Sequence, residues 1–144
     1  MITDTTGTNP GQPIPEASLR HEPTRGLYGS ITHTDLASAD PDATKEWCER
    51  VLGWTFMATV PQPDGGAYHL FAYSDQGGGG IRSTEAAEPP GSTPFVHVED
   101  AHAAFDSAIE AGAEVVAPPT RVMEGVTTAI VRAPGGVPIG FSGP

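Results

Sequence analysis

The side chains best suited to chemistry in this chain are a few histidines with an aspartate close by. His33 and Asp35 stand two residues apart in a segment of alternating character, so they share one face of a predicted strand. Imidazole and carboxylate groups bind divalent metals, and a histidine also serves as a general base near neutral pH. Two interpretations therefore stay open: a metal site built from His33, Asp35, His69 and His97, and a metal-free general base at His33 or His97.

The elements that position these residues are predicted twice along the chain. A helix with Pro41 at its first position follows Asp40 and ends at Gly53, and a second helix follows Asp100 and ends at Gly112. Each helix lies between one predicted strand and three more. The strands are predicted at 30–36, 54–60, 67–73 and 79–83, and again at 95–98, 114–117, 126–132 and 137–141.

The repeat defines the fold class and the domain organisation. Corresponding features are about 60 residues apart (140 minus 80 for the closing glycines), and neither half can bury a sheet face alone. We expect an α+β fold, with two βαβββ modules forming a curved mixed sheet cup and the helices outside. Residues 1–26 are predicted to be a flexible tail and 27–144 one domain, with modules at 30–83 and 94–142 and a linker at 84–93.

The lining of the cup is predicted from the strands that would form it. Alternation sends about half of the strand aromatics into the cup and half beneath the helices. The glycine run at 77–80 has no following Lys-Ser/Thr, so it indicates a strand with a close backbone neighbour rather than a phosphate loop. Arg82 could bind an anionic ligand group. The predicted ligand-binding residues are His33, Asp35, Trp54, Phe56, Phe71, Gly80, Arg82, Thr93, Phe95, His97 and Gly140.

Two sets of motifs resemble the vicinal oxygen chelate superfamily, which includes glyoxalase I, bleomycin-resistance proteins and extradiol dioxygenases. The first set is HTDL at 33–36, DPDA at 40–43 and VLGW at 51–54. The second is FVHVED at 95–100, AGA at 111–113, and APGG at 133–136 followed by IGF at 139–141. The resemblance covers residues 30–142 and implies the fold, while the superfamily hosts many reactions.

The resemblance also implies where a metal would be bound. Metal-using relatives carry a His, Glu or Gln on each of four inward strands, at positions that correspond here to His33, Gly80 or a neighbour, Thr93 or a neighbour, and Gly140. A catalytic divalent ion needs about three protein ligands, and His33 alone offers an imidazole. We therefore expect no metal cofactor, the alternative being a divalent metal bound through His33.

Composition excludes several classes of partner. A net charge of −11 disfavours nucleic acid, and the chain has no apolar stretch long enough to cross a membrane, so a cytoplasmic location is expected. The function predicted is a metal-free small-molecule-binding protein of the glyoxalase/bleomycin-resistance type that holds a hydrophobic or aromatic ligand. The alternative is a divalent-metal-dependent lyase, isomerase or dioxygenase. A homodimer is expected because relatives form one.

Overall fold

The computed structural model describes residues 28–62, 65–75 and 77–144. The predicted tail at 1–26 lies outside these described residues. Eight strands and two α-helices make up the described chain. In chain order these are β1 Ile31–Ser38, α1 Pro41–Trp47, β2 Thr55–Pro61, β3 Ala67–Ser74, β4 Gly77–Ser83, β5 Gly91–His97, α2 Ala101–Glu110, β6 Glu114–Met123, β7 Val126–Ala133 and β8 Val137–Gly143.

The sheet has an internal two-fold pattern that confirms the predicted α+β fold of paired modules. Its strand order is β2-β3-β4-β1-β5-β8-β7-β6, so β1 and β5 meet at the centre and each half mirrors the other. β1 runs parallel to β4 with Asp35 beside Gly80, and β5 runs parallel to β8 with Phe95 beside Gly140. Phe95 lies 60 positions after Asp35, and Gly140 lies 60 positions after Gly80, which is the offset expected from the sequence.

Both helices begin and end at the predicted signals. The Asp40 carboxylate accepts a hydrogen bond from the Ala43 amide at 3.1 Å, and that of Asp100 accepts one from the Ala103 amide at 3.0 Å. After α1 the chain continues through a π-helical turn, Cys48–Leu52, which the sequence did not predict. Gly53 then ends it at a φ of 68°, where glycine avoids the strain of a side chain.

The hydrophobic core lies between the sheet and the helices. Beneath α1 and its π-helical turn, Cys48, Phe71 and Ile81 are fully buried, and Trp54 and Phe56 pack against them. The Trp54 ring stacks on Phe71 at a centroid distance of 4.3 Å. The placement of Trp54, Phe56 and Phe71 in the cup is therefore corrected: they lie on the helix side, because the helix needs an apolar surface to cover.

Two strand boundaries also differ from those predicted. β5 begins at Gly91, so Thr93 lies inside the strand rather than in the linker. β6 continues through Pro118 and Pro119, where a turn was expected, because β6 is an edge strand whose pairing with β7 is interrupted by bulges around Ala117. Proline lacks an amide hydrogen and is tolerated at an edge or a bulge.

The glycine run explains the close approach of β4 to its neighbours. A Cβ atom added at Gly79 would overlap the Thr34 carbonyl oxygen of β1, and one added at Gly78 would overlap the Phe71 carbonyl oxygen of β3. Any side chain at these positions would push the strands apart. None of the helices in the described part of the chain is long and apolar enough to cross a membrane.

Candidate functional site

The sheet face opposite the helices carries a group of polar and aromatic residues at its centre. Asp35 of β1 lies between Gly80 of β4 and Thr93 of β5, and His33 is paired with Phe95. Phe95 in turn is paired with Gly140 of β8. The structure thus brings together seven predicted site residues. These are His33, Asp35, Gly80, Arg82, Thr93, Phe95 and Gly140.

His33 is held by two aromatic side chains. Its Nε2 lies 2.8 Å from the Tyr68 hydroxyl oxygen, and its ring meets the Phe95 ring at 88° with centroids 5.5 Å apart. Burial lowers the pKa of His33 below 6.5, because desolvation disfavours the imidazolium form and outweighs the attraction of Asp35. The neutral form of His33 is therefore favoured.

Tyr68 is a site residue that the predicted ligand set left out. Tyr68 lies on β3 two residues before Leu70, so the two side chains share one face of the strand. Leu70 is paired with Gly80, a predicted site residue, so strand alternation could have identified Tyr68. Burial raises the pKa of Tyr68, and so do the charge of Asp35 and the hydrogen bond between their side chains, with partial opposition from Arg82. The phenol consequently stays protonated.

The protonation pattern of this cluster follows from donor counting. A carboxylate only accepts hydrogen bonds, so in its hydrogen bond with Asp35 the Tyr68 hydroxyl donates its one proton. The hydroxyl oxygen then accepts from the Nε2–H of His33. In the neutral imidazole this leaves Nδ1 with a lone pair, so the chain from Asp35 through Tyr68 fixes the tautomer of His33.

Arg82 is committed to two carboxylates. Its Nε donates to Asp35 Oδ2 at 2.9 Å, and its Nη1 and Nη2 donate to the two oxygens of Glu88 at 2.8 Å each. These hydrogen bonds, with the one to Glu88 dominant, raise the pKa of Arg82, and they lower the pKa of Glu88 to about 2. Glu88 belongs to the connection between the modules, where nothing in the sequence distinguished it from other acidic residues.

The other two histidines of the predicted metal site lie away from this cluster. His69 is on the helix side of β3, where its Nε2 contacts Asp42 of α1 at 2.9 Å. His97 stacks on Tyr28 at a centroid distance of 5.0 Å near the end of β5. The proposed ligand set of His33, Asp35, His69 and His97 is therefore corrected, because His69 faces the opposite side of the sheet.

The four positions that could hold the superfamily's metal do not fit one here. The Tyr68 ring occupies the space that a side chain at Gly80 would need, and the Phe95 ring does the same above Gly140. Thr93 offers only a neutral hydroxyl. Among residues 28–62, 65–75 and 77–144, no group of three or more His, Cys, Asp or Glu side chains could hold an ion.

A shallow open cavity of about 300 Å³ adjoins His33. Residues of β1, β2, β3 and β4 line it, and the glycines of β4 form part of its wall. Its lining comprises Thr32, His33, Met57, Leu70, Phe71, Ala72, Ser74, Asp75, Gly77, Gly78 and Gly79. The cavity therefore places the imidazole next to space of ligand size.

Residues 30–141 match the family sequence model of the Glyoxalase/Bleomycin resistance protein/Dioxygenase superfamily. The chain belongs to this superfamily. A methylmalonyl-CoA epimerase from Mycobacterium tuberculosis is similar in structure, with a TM-score of 0.65 and 20% identity, covering 82% of this chain and 89% of its own. No curated protein sequence gave a significant match.

Other solved structures share the glyoxalase fold at similarly low identity. A hypothetical protein from Bacillus halodurans has a TM-score of 0.64 and 13% identity, covering 78% of this chain and 92% of its own. A variant of the Streptomyces coelicolor methylmalonyl-CoA epimerase, in complex with 2-nitronate-propionyl-CoA, has a TM-score of 0.60 and 20% identity, covering 81% of this chain and 96% of its own. At such identity the likeness concerns the fold, not the reaction.

Proposed function

We propose that this glyoxalase-superfamily protein binds a small, planar, hydrophobic or aromatic molecule on the cup face without a divalent metal. One observation carries the proposal: aromatic rings lie over both glycines at the positions where metal-using relatives carry ligands. Tyr68 covers Gly80 and Phe95 covers Gly140. Aromatic rings of the protein therefore occupy the positions of metal ligands, and they offer an apolar surface to a ligand ring.

His33 supplies the polar contact that would orient such a ligand. Its Nδ1 carries the lone pair of the fixed tautomer, so it accepts a hydrogen bond from an N–H or O–H of the ligand. Leu70, which lines the cavity beside His33, adds apolar contact, and each Å² of apolar surface buried contributes about 25 cal/mol. Binding by apolar area with one oriented hydrogen bond is typical of small-molecule sites.

The charges beside His33 favour a neutral or cationic ligand. Asp35 and Glu88 together outnumber the single positive charge of Arg82, whose guanidinium already donates to both carboxylates. An anionic ligand would have to displace one of these carboxylates before Arg82 could bind it. We therefore expect weaker binding of a carboxylated analogue than of its neutral parent.

A second candidate function is metal-free proton transfer with His33 as the general base. The specific observation in its favour is the neutral imidazole, whose lowered pKa leaves Nδ1 able to accept a proton. The Asp35–Tyr68 pair would stabilise the imidazolium that forms. This candidate differs from the first in predicting hydrogen–deuterium exchange on a bound carbon acid.

The cytoplasmic location and the homodimer expected from the sequence stay predictions.

The binding proposal is tested with a panel of bicyclic heteroaromatics, each neutral parent paired with its carboxylated analogue. Thermal shift identifies binders, because a ligand specific for the folded state raises Tm. For the best neutral binder, isothermal titration compares wild type, His33→Ala and His102→Ala, the last being an exposed histidine of α2. We expect a Kd about 10-fold weaker for His33→Ala alone. An unchanged Kd, or a panel that never shifts Tm, would contradict the proposal.

A further inference from the structure

A separate group of three side chains lies on the helix side of the sheet, away from the cup. Thr59 Oγ1 lies 2.9 Å from His69 Nδ1, and His69 Nε2 lies 2.9 Å from Asp42 Oδ1. Thr59 and His69 are cross-strand partners on β2 and β3, and Asp42 is in the first turn of α1. Three separate elements thus converge on one imidazole.

The hydrogen bonds of this group assign a role to each atom. The Asp42 carboxylate only accepts, so Nε2 of His69 carries the proton and donates it to Asp42. In the neutral form of the ring, Nδ1 then has the lone pair and accepts from the Thr59 hydroxyl. A hydroxyl bonded to an imidazole, which is oriented in turn by a carboxylate, is the arrangement that activates a nucleophile.

The imidazole of this group is buried, whereas the hydroxyl-bearing residue is exposed to solvent. His69 is only 7% exposed, and its packing holds the ring in place. Thr59 is exposed, so a molecule in solvent can reach its hydroxyl. The Asp42 side chain is 91% exposed and acts on Thr59 only through His69. Asp42 is therefore a positioning residue.

We infer that Thr59 is an activated nucleophile that accepts acyl groups from reactive esters, with His69 as its general base. Thr59 Oγ1 bonds to the ester carbonyl carbon while its proton passes to His69 Nδ1. The carbon–oxygen bond to the leaving alcohol then breaks, and that alcohol takes the proton from His69. Hydrolysis reverses the roles: water adds to the acyl carbon, His69 takes a water proton, and the Thr59 oxygen leaves and regains it.

The test uses p-nitrophenyl acetate and the intact protein, followed by peptide mapping. Thr55 is a built-in control, because it is an exposed threonine of the same strand that pairs with Ala72 rather than a histidine. We expect Thr59 to be acetylated about 100-fold faster than Thr55 in the same sample, the usual range for a positioned general base. Equal acetylation of the two threonines would overturn the inference, whatever any variant does.

Four variants test the assigned roles of Thr59 and Asp42. Thr59→Val should abolish the fast acetylation, and Thr59→Ser should keep it, because serine retains the hydroxyl. Asp42→Asn should slow it about 10-fold, since the amide can donate to the ring and favour the wrong tautomer, while Asp42→Glu restores it. The Asp42 side chain is 91% exposed, so only a small decrease in Tm is expected for its two variants. Fast acetylation that survives in Thr59→Val would contradict the assignment of the nucleophile.

Discussion

The two halves of the sheet share a backbone plan and differ in the chemistry of their cup faces. In the first module, β1 and β4 carry His33, Asp35 and Arg82. The positions 60 residues later in the second module carry Thr93, Phe95 and Ser142. A histidine corresponds to a threonine, an aspartate to a phenylalanine and an arginine to a serine.

The difference teaches which features the duplicated frame requires. Glycine is kept at both Gly80 and Gly140, and in both halves an aromatic ring lies over it. The charged network, by contrast, occurs only in the first module, where Glu88 from the connecting segment completes it. We conclude that the two glycines belong to the frame, whereas the charges belong to one specialised half. The rings that cover the glycines come from non-equivalent strands, Tyr68 from β3 and Phe95 from β5.

The largest expected effect is the loss of Arg82. Arg82→Met leaves Asp35, whose side chain is only 12% exposed, without its cation, and we expect about 2–3 kcal/mol of destabilisation. The matched change in the second module, Ser142→Ala, should cost less than about 0.5 kcal/mol. Chemical denaturation of both variants measures the contrast. Similar losses for the two would show that the modules are not specialised in this way.

The second effect concerns the two covered glycines. A Cβ at Gly140 meets Phe95 along the ring, including Cγ at 2.8 Å close to the main chain, whereas the nearest atom to a Cβ at Gly80 is Cζ at the tip of Tyr68. The Tyr68 tip is held by its hydroxyl contact with His33, so neither ring moves aside freely, and Gly140→Ala and Gly80→Ala should each cost about 2 kcal/mol. Gly91→Ala, with open space around it, is the control. Losses at Gly80 and Gly140 no larger than the loss at Gly91 would refute the ring-packing explanation.

The smallest effect is a pH dependence confined to the first module. Arg82 lowers the pKa of Glu88 from 4.5 to about 2, so its stabilisation is fully present above pH 4.5 and disappears as pH falls toward 2. Because the Glu88 side chain is 32% exposed, we discount its contribution to about 1 kcal/mol. Glu88→Gln should lose this at pH 7 and differ little from wild type near pH 2. A constant difference across this range would argue against the ion pair.

Much of this fold could be predicted because its signals are local. Asp40, Pro41 and Gly53 mark a helix through capping and backbone preferences that need no tertiary contact. The faces of the strand aromatics were predicted less well, because alternation fixes which residues of a strand share a face but not which face turns toward the helices.

The candidate site also contains residues that could be predicted from the sequence and residues that could not. His33, Asp35 and Arg82 were predicted, because the resemblance to the superfamily implies that β1 and β4 are inward strands. Glu88 was not, because it reaches Arg82 from an irregular connection whose path depends on the finished fold. The Thr59–His69–Asp42 group was missed for a similar reason, since it joins three elements distant in sequence.

The central claim is that the cup binds its ligand without a divalent metal, and metal content tests it most directly. The protein is incubated with Ni²⁺, Zn²⁺, Mn²⁺ and Fe²⁺, desalted and measured by elemental mass spectrometry, with His33→Ala and His102→Ala beside it. We predict substoichiometric metal in all three proteins, because the rings of Tyr68 and Phe95 occupy the ligand positions. One ion per chain in the wild type and in His102→Ala, absent from His33→Ala, would contradict this account.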